Sequence, residues 1–554
     1  MILRVKKNRI LTILFLSTFL IIVFISCSEY FQRTSRIVFQ SPIMELEPRL
    51  LIDKADVYFS ASNGYTYNLY KYSHRTLTRI TNANNDILYP FLFKSHICGL
   101  QDHNGEENFK PTDSDLVQLT KGKSIRSLYS FEGGNLIYIL FKGEGKLYEF
   151  NLKKMTQKVV LDNVQRLNGV AISIDKQTLS VSCDNKLLCI KLNAQRQVCE
   201  IENGPLDEPN KTDPFFDKNR LIFSSNRNSE YYNIYAADLS TQIPKVTLLF
   251  HSDHDLLMPK VFGNDLYFLE LTNSEYLLRC LNLKTGVKTA ITKKGVVYNY
   301  EKKDAENIIC TYSDDKTPKS LLNIRLSDNY VSTIVGGPIK TNVQTVLIPS
   351  TNVRSQGFSL YSLALKEKRG VILFFHPGVH ADYSPRWDVI LNNLASNGFL
   401  VIAPNYPGSI GFGKFFLNDN IDKINDDIFQ WHLYIAQNFG QLPVYYLSMS
   451  SGNLIMLQAL KMDIEHNIRT VSICGIPDYH LENQATKSLY ILGENDPYIP
   501  FFERESNLMK LINVSQKDIF SISGEGHWLR KRQNQVAVVQ RISDWYIKPN
   551  FLNF

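Results

Sequence analysis

The stretch Val444-Tyr-Tyr-Leu-Ser-Met-Ser450-Ser-Gly-Asn453, followed by the apolar run Leu454 to Leu460, decides how this 554-residue chain is read. It has the form of a buried strand, a one-residue corner and a helix. Its core, Ser448-x-Ser450-x-Gly452, is one residue away from the Gly-x-Ser-x-Gly pattern. That pattern holds a serine on a sharp strand-to-helix turn with its hydroxyl exposed above the sheet. Small residues are needed there because the helix starts directly against the strand. Ser448 stands where the first glycine is usual, so one hydroxymethyl group has to be accommodated.

An α/β-hydrolase carries its acid after the serine and its histidine last, and the downstream chain supplies both. Ser488-Leu-Tyr-Ile-Leu-Gly-Glu-Asn-Asp496 is an apolar strand running into a Gly-x-x-Asp loop. It sets Asp496 at a strand's C-terminal end, where such sheets collect functional groups. Ile519-Phe-Ser-Ile-Ser-Gly-Glu-Gly-His527 is a further strand ending in a glycine-flanked loop with one histidine. Upstream, Gly370-Val-Ile-Leu-Phe-Phe-His376-Pro-Gly378-Val-His380 is a buried strand entering a glycine-containing loop. A tetrahedral intermediate needs backbone N–H donors aimed at its oxygen. Pro377 has none, so the donors expected are the amides of Gly378 and Ser451. His376 is expected to order this loop, and His380 is read as an ordinary loop residue.

These pieces resemble the prolyl oligopeptidase family of serine peptidases, especially its acylaminoacyl-peptidase and dipeptidyl-peptidase-like branches. The resemblance rests on His376-Pro-Gly378, Ala403-Pro-Asn-Tyr-Pro-Gly-Ser-Ile-Gly-Phe-Gly413, the corner at Ser450, Gly475-Ile-Pro-Asp478, Leu492-Gly-Glu-Asn-Asp496 and Gly524-Glu-Gly-His527. It implies Ser450 as nucleophile, His527 as general base and then acid, Asp496 as the residue that orients His527, and Gly378 with Ser451 as the oxyanion hole. Pro377, Pro407 and Ser448 depart from the family's pattern, and little remains of the helical insert that usually lies between Asp478 and Ser488.

The N-terminus reads as an export signal over residues 1–27. Arg4, Lys6, Lys7 and Arg9 precede an uncharged run from Ile10 to Ile25, and Phe24-Ile-Ser-Cys27 is a loose lipobox. A lipoprotein cleaved before Cys27 and lipidated there is favoured over an uncleaved anchor, since a comfortable span needs roughly 20 apolar residues. Either form anchors an exported protein to a membrane, in a bacterial periplasm or at the cell surface. The net charge of +7 is not gathered into a stripe, so no nucleic-acid footprint is present. With Cys27 set aside, seven cysteines remain, in no metal-binding spacing. Cys183 or Cys189 pairing with Cys199 stays open in an oxidising compartment.

After a linker over residues 28–49, the chain repeats. Val57-Tyr-Phe-Ser-Ala-Ser-Asn-Gly64 leads to Asn68-Leu-Tyr-Lys-Tyr72, and Leu221-Ile-Phe-Ser-Ser-Asn-Arg-Asn228 leads to Asn233-Ile-Tyr-Ala-Ala-Asp238. Weaker copies start near Phe91, Leu136, Leu179, Leu266 and Ile308. Each copy reads as three strands, at the spacing of roughly 40 residues that marks propeller blades. They resemble TolB-type repeats and imply an all-β, seven-bladed propeller over residues 50–338, with Gly336-Gly-Pro338 as the boundary. Beyond it, over residues 339–554, strands alternate with helices expected at 387–396, 424–438, 454–461, 501–511 and 534–546. That alternation predicts a doubly wound, mostly parallel sheet. Asp426 and Asp427 are expected to favour the start of the second of these helices, and Asp478 to be structural.

The expected activity is hydrolysis of short peptides through a Ser-His-Asp triad and an acyl-enzyme, with no metal or organic cofactor. An esterase on the same triad, and a propeller-based binding protein without catalysis, are the alternatives.

Overall fold

The computed structural model describes residues 44–547, apart from 132–134, 166, 185, 194–196, 202–210, 242–243, 351–354, 379, 419–420, 463–467, 476–486 and 499–516. Residues 1–43, with the expected signal and Cys27, lie outside the described residues, as do Asp478 and the helix expected at 501–511. Among the described residues no helix is long and apolar enough to cross a membrane.

Residues 45–335 form seven consecutive antiparallel meanders, spanning 45–79, 86–111, 125–162, 167–200, 211–250, 256–290 and 296–335. Six have four strands. The second has three, followed by the six-residue helix Ser114–Leu119. The repeats read from sequence therefore lack the first strand in every copy but the second, whose reading begins at Phe91 within its first strand. In every meander the pairing of first and second strands is interrupted by a register shift, as at Leu46/Leu50, Thr212/Phe215 and Leu257/Lys260. A bulge inserts an unpaired residue and destroys the period-two alternation by which strands are recognised. Tyr89, Asp213 and Met258, which lie within three of these shifts, have positive φ.

Apolar clusters link each meander from the second onward to the next. Phe91 and Phe93 pack with Ile137 and Phe150, Tyr138 and Leu140 with Val181 and Ile190, and Leu187 with Leu221 and Phe223. Ile222 then packs with Leu266 and Phe268, and Leu269 with Tyr300 and Ile308. A further cluster joins Leu46, Val57 and Phe59 of the first meander to Ile309, Leu321 and Val335 of the seventh. Strand side chains alternate between faces, so each sheet buries both sides against its neighbours. The two clearest sequence copies share the same polar ties. Asp86 accepts from the Tyr67 amide (2.9 Å) and Asp255 from the Tyr232 amide (2.8 Å). Asn68 accepts from the Ala83 amide and Asn233 from the Ser252 amide, both at 3.0 Å. Among the described cysteines none is in a disulfide, and Cys189 lies directly opposite Cys199 in the fourth meander.

The remaining chain builds one eight-stranded sheet from β1 (Val343–Ile348), β2 (Gly357–Ser362), β3 (Gly370–Phe375), β4 (Phe399–Pro404), β5 (Val444–Met449), β6 (Arg469–Ile473), β7 (Lys487–Gly493) and β8 (Lys517–Ile522). Their order is β1-β2-β4-β3-β5-β6-β7-β8, with β2 antiparallel to both its neighbours and the rest parallel. β3 and β4 are buried along their whole length, as expected where helices cover both faces of a parallel sheet. The helices are α1 (Val389–Ser396), α2 (Lys414–Leu417), α3 (Ile421–Phe439), α4 (Gly452–Lys461) and α5 (Arg532–Ile547). Asp388 caps α1 by accepting from the Ile390 and Leu391 amides. Because α3 begins three residues earlier than its apolar pattern indicates, Asp427 is not a dipole partner at the helix start. It is fully buried and accepts a 2.6 Å hydrogen bond from Ser355, whose oxygen also receives the Trp431 indole N–H. Asp426 is exposed.

His376, in the loop after β3, and His432, on α3, are buried, and burial pushes both rings down to about 4. Between pH 4 and an ordinary histidine pKa of about 6.5 the unfolded chain takes up protons that the folded chain refuses. Their contribution to stability is therefore complete above that window and is lost as the pH falls through it. Burial raises Asp255 to about 6. That works the opposite way from about pH 4 up to about pH 6, and burial also raises Glu45, Asp86, Asp213, Glu275, Asp315 and Asp382, which act in the same sense as Asp255. Each histidine contributes up to about 3 kcal/mol on this basis. Relative to the wild type, His432→Gln is expected to gain melting temperature at pH 4.5 compared with pH 6.5, because it no longer carries a ring that protonates only on unfolding. An unchanged pH slope in that variant, measured by differential scanning fluorimetry, would contradict the assignment.

Candidate active site

β5 ends at Met449 and α4 starts at Gly452, which leaves Ser450 on the corner with φ +52°. Such a backbone is strained for a side-chain-bearing residue and persists only where its surroundings hold it. Here the Ser450 amide donates to the Ile473 carbonyl on β6 (3.0 Å), and the Ser450 carbonyl accepts from the Asn453 amide (3.1 Å). Gly452 admits no side chain, because a Cβ there would lie 2.2 Å from the Phe375 carbonyl oxygen on β3. Ser448 is accommodated without strain: it is fully buried, and its hydroxyl donates to the Asn453 side chain (3.2 Å).

Asp496 and His527 come to this corner from the ends of β7 and β8. The Ser450 hydroxyl and His527 Nε2 are 2.9 Å apart, and His527 Nδ1 and Asp496 Oδ2 are 2.9 Å apart. Both the imidazole and the carboxylate are buried. The second Asp496 oxygen accepts from the Tyr498 amide (2.9 Å), which fixes the carboxylate's plane. The three residues thus form one hydrogen-bonded chain from hydroxyl to carboxylate.

The loop after β3 carries the remaining groups. Gly378 has φ +90°, and its amide donates to the Ser451 hydroxyl (2.8 Å). The structure therefore brings Gly378 and Ser451 together, but with the Gly378 N–H engaged by a side chain. His376 is stacked on Tyr406 at 4.4 Å with rings nearly parallel, and its Nε2 lies 3.0 Å from the Ser409 hydroxyl. The Tyr406 hydroxyl donates to the His376 carbonyl (2.7 Å). Burial keeps this imidazole neutral near pH 7, so it stiffens the loop. His380 is exposed.

Several residues not singled out in the sequence hold the site in place. The Glu525 carboxylate, buried two residues before His527, accepts from the Arg530 and Lys531 amides (2.9 and 2.7 Å) and from the Asn534 side chain (2.9 Å). It folds the histidine loop onto the start of α5. Arg530 also pairs with buried Asp102 of the second meander (2.9 Å), and the Asn495 side chain donates to the Asn104 carbonyl (3.2 Å). The meanders reach this sheet at other points too. The Tyr276 hydroxyl donates to Asp382 (2.9 Å), the Trp387 amide to Ser313 (3.1 Å) and the Phe415 amide to Glu230 (2.8 Å). Glu525 was visible in the sequence as a neighbour of His527, but two of its three partners are backbone amides, of Arg530 and Lys531, which no residue type announces.

Cys474 Sγ lies with ligand atoms of Asp496 and His527 inside a span of 4.8 Å. A metal ion there would compete for the groups that join Asp496 to His527.

No family model matches this sequence, and no curated protein matches it. Solved structures do. A Mycobacterium tuberculosis puromycin-hydrolyzing peptidase is 13% identical with a TM-score of 0.73, covering 93% of this chain and 95% of that one. A prolyl endopeptidase is 12% identical with a TM-score of 0.75, covering 91% and 89%. Oligopeptidase B from Leishmania major is 12% identical with a TM-score of 0.70, covering 91% and 86%. The chain therefore has the fold of these peptidases along nearly its whole length.

Proposed function

We propose that the chain is a serine peptidase of the prolyl oligopeptidase type that cleaves short peptides through an acyl-enzyme. The observation that carries this reading is the unbroken hydrogen-bonded chain from Ser450 through His527 to Asp496, set on β5, β7 and β8 of the eight-stranded sheet. Ser450 attacks the carbonyl carbon while His527 Nε2 takes its proton. Asp496 holds the imidazole in the tautomer this requires and stabilises the cation that forms. His527 then protonates the departing amine, and water attacks the acyl-enzyme by the same route in reverse. The oxyanion is assigned to the amides of Gly378 and Ser451. For Gly378 to serve, the Ser451 hydroxyl rotates away from it first.

In this reading the seven meanders form a seven-bladed propeller that starts at Glu45, inside the segment expected as a linker up to residue 49, and residues 339–554 form the hydrolase domain. The succession of apolar clusters, from the second meander to the seventh and on to the first, supports it. Loops of the meanders press against the histidine and acid loops, which favours substrates small enough to pass between the two regions. The similar structures are of peptidases, one of them puromycin-hydrolyzing, which supports an amide substrate over an ester. Export and lipidation at Cys27 complete the proposal. Cys27→Ser is expected to abolish both incorporation of a labelled fatty acid and removal of the residues before Cys27, and a variant that still takes up the label would count against lipidation there.

The reading is tested with a fluorophosphonate probe on a soluble form starting after Cys27. The label is expected on Ser450, absent in Ser450→Ala, and slowed about 10⁴-fold in Asp496→Asn, where the imidazole takes the wrong tautomer. Ser451→Ala frees the Gly378 amide from a neutral hydrogen bond of about 1 kcal/mol and is expected to label several-fold faster. Folded wild-type protein that takes up no label would overturn the proposal.

A further inference from the structure

Two large aromatic rings lie exposed beside His527. Tyr498 is 63% exposed and Trp528 is 48% exposed. Their ring centroids stand 5.0 and 5.1 Å from that of the imidazole, at interplanar angles of 67° and 86°. Aromatic surface of this size left in contact with water at a functional group marks a binding surface more often than a packing need. Both rings are held by their backbones. Tyr498 follows the acid by two residues and donates its amide to Asp496. Trp528 lies between His527 and Leu529, both buried.

Both rings also face the meanders. Burial, together with the negative charge of Glu107, raises the pKa of the Tyr498 hydroxyl. Trp528 lines a small recess with His527, Asn104 and Glu107. They therefore stand at the seam where a substrate bound at Ser450 must lie.

The chemistry assigns the half of the substrate they meet. When the C–N bond breaks, the electron pair leaves with nitrogen, and His527 Nε2 delivers to that nitrogen the proton it took from Ser450. The departing amine stands over the imidazole at that moment, while the acyl half lies toward Gly378 and Ser451. Rings packed beside the imidazole are placed to meet the amine half and not the acyl half.

We propose that Tyr498 and Trp528 form an aromatic clamp for the leaving half of the substrate, selecting an amine component that carries a planar or aromatic side chain. The proposal rests on the peptidase reading above and names the specificity of that same site.

Peptide substrates with one shared acyl part and either phenylalaninamide or glycinamide as leaving group test it. Partition of a peptide ester between water and the same two amides, added as acyl acceptors, gives an independent measure of the same subsite. The wild type is expected to prefer phenylalaninamide in both assays. Trp528→Ala and Tyr498→Ala are each expected to reduce that preference about three- to tenfold, the range of one aromatic contact. Trp528→Phe is expected to recover most of it. Each variant is compared with its own fluorophosphonate labelling. A preference that survives in both alanine variants while Ser450 still labels overturns the clamp. A rate loss shared equally by both leaving groups overturns it as well, and assigns the rings to shielding His527. A wild type that does not label removes the peptidase reading itself.

Discussion

Three backbones cross at one point behind His527. A Cβ at Gly493 would lie 2.2 Å from the Gly526 carbonyl oxygen, and a Cβ at Gly526 would lie 2.0 Å from the Gly105 carbonyl oxygen. The acid loop, the histidine loop and a loop of the second meander are stacked as closely as polypeptide allows, and glycine at each layer makes this possible. The Asn495 amide donates to the Glu525 carbonyl across the first contact (2.9 Å). The Asp102–Arg530 pair and the Asn495–Asn104 bond flank the second. The position of His527 relative to Asp496 is therefore set by packing of main chain and not by the flexibility of two surface loops. A misplacement of about 1 Å between reacting groups costs orders of magnitude in rate, so this crossing is what the rest of the site depends on.

The nucleophile corner is built by the same means from the opposite side. Gly452 lets α4 start against the Phe375 carbonyl, which raises Ser450 above the C-terminal edge of the sheet. The hydroxymethyl of Ser448 costs nothing there, because it gains a partner in Asn453 as it is buried. Pro377 removes one amide from the loop opposite and leaves Gly378 as its donor. The loop is stiffened by the stack of His376 on Tyr406 and by the Tyr406 hydroxyl on the His376 carbonyl. Two departures from the usual pattern are thus absorbed locally, and neither breaks the chain of hydrogen bonds from Ser450 to Asp496.

Much of this was legible because Ser450, Asp496 and His527 each sit where an apolar strand gives way to a glycine-containing loop. Parallel strands buried on both faces write themselves as apolar runs, and β3, β5 and β7 are such runs. The meanders were legible only in part. Their second strands are mostly continuous buried runs, while their first strands are broken by bulges at positions such as Leu88/Phe91 and Val297/Asn299. Asp427 was misread because the first turn of α3 is polar and hides the true helix start. What the sequence had no means of conveying was direction and distance: that Glu525 would reach α5, that Arg530 would find Asp102, and that Tyr498 and Trp528 would flank one imidazole.

The central claim is that Ser450 carries the acyl half of a cleaved substrate. Mixing the enzyme with a slowly deacylating peptide ester, quenching in acid and mapping the product by mass spectrometry tests it directly. The account requires a mass gain equal to the acyl part alone, on the peptide that contains Ser450, forming and decaying with turnover. Turnover without that gain, or a gain on any other residue, would contradict it.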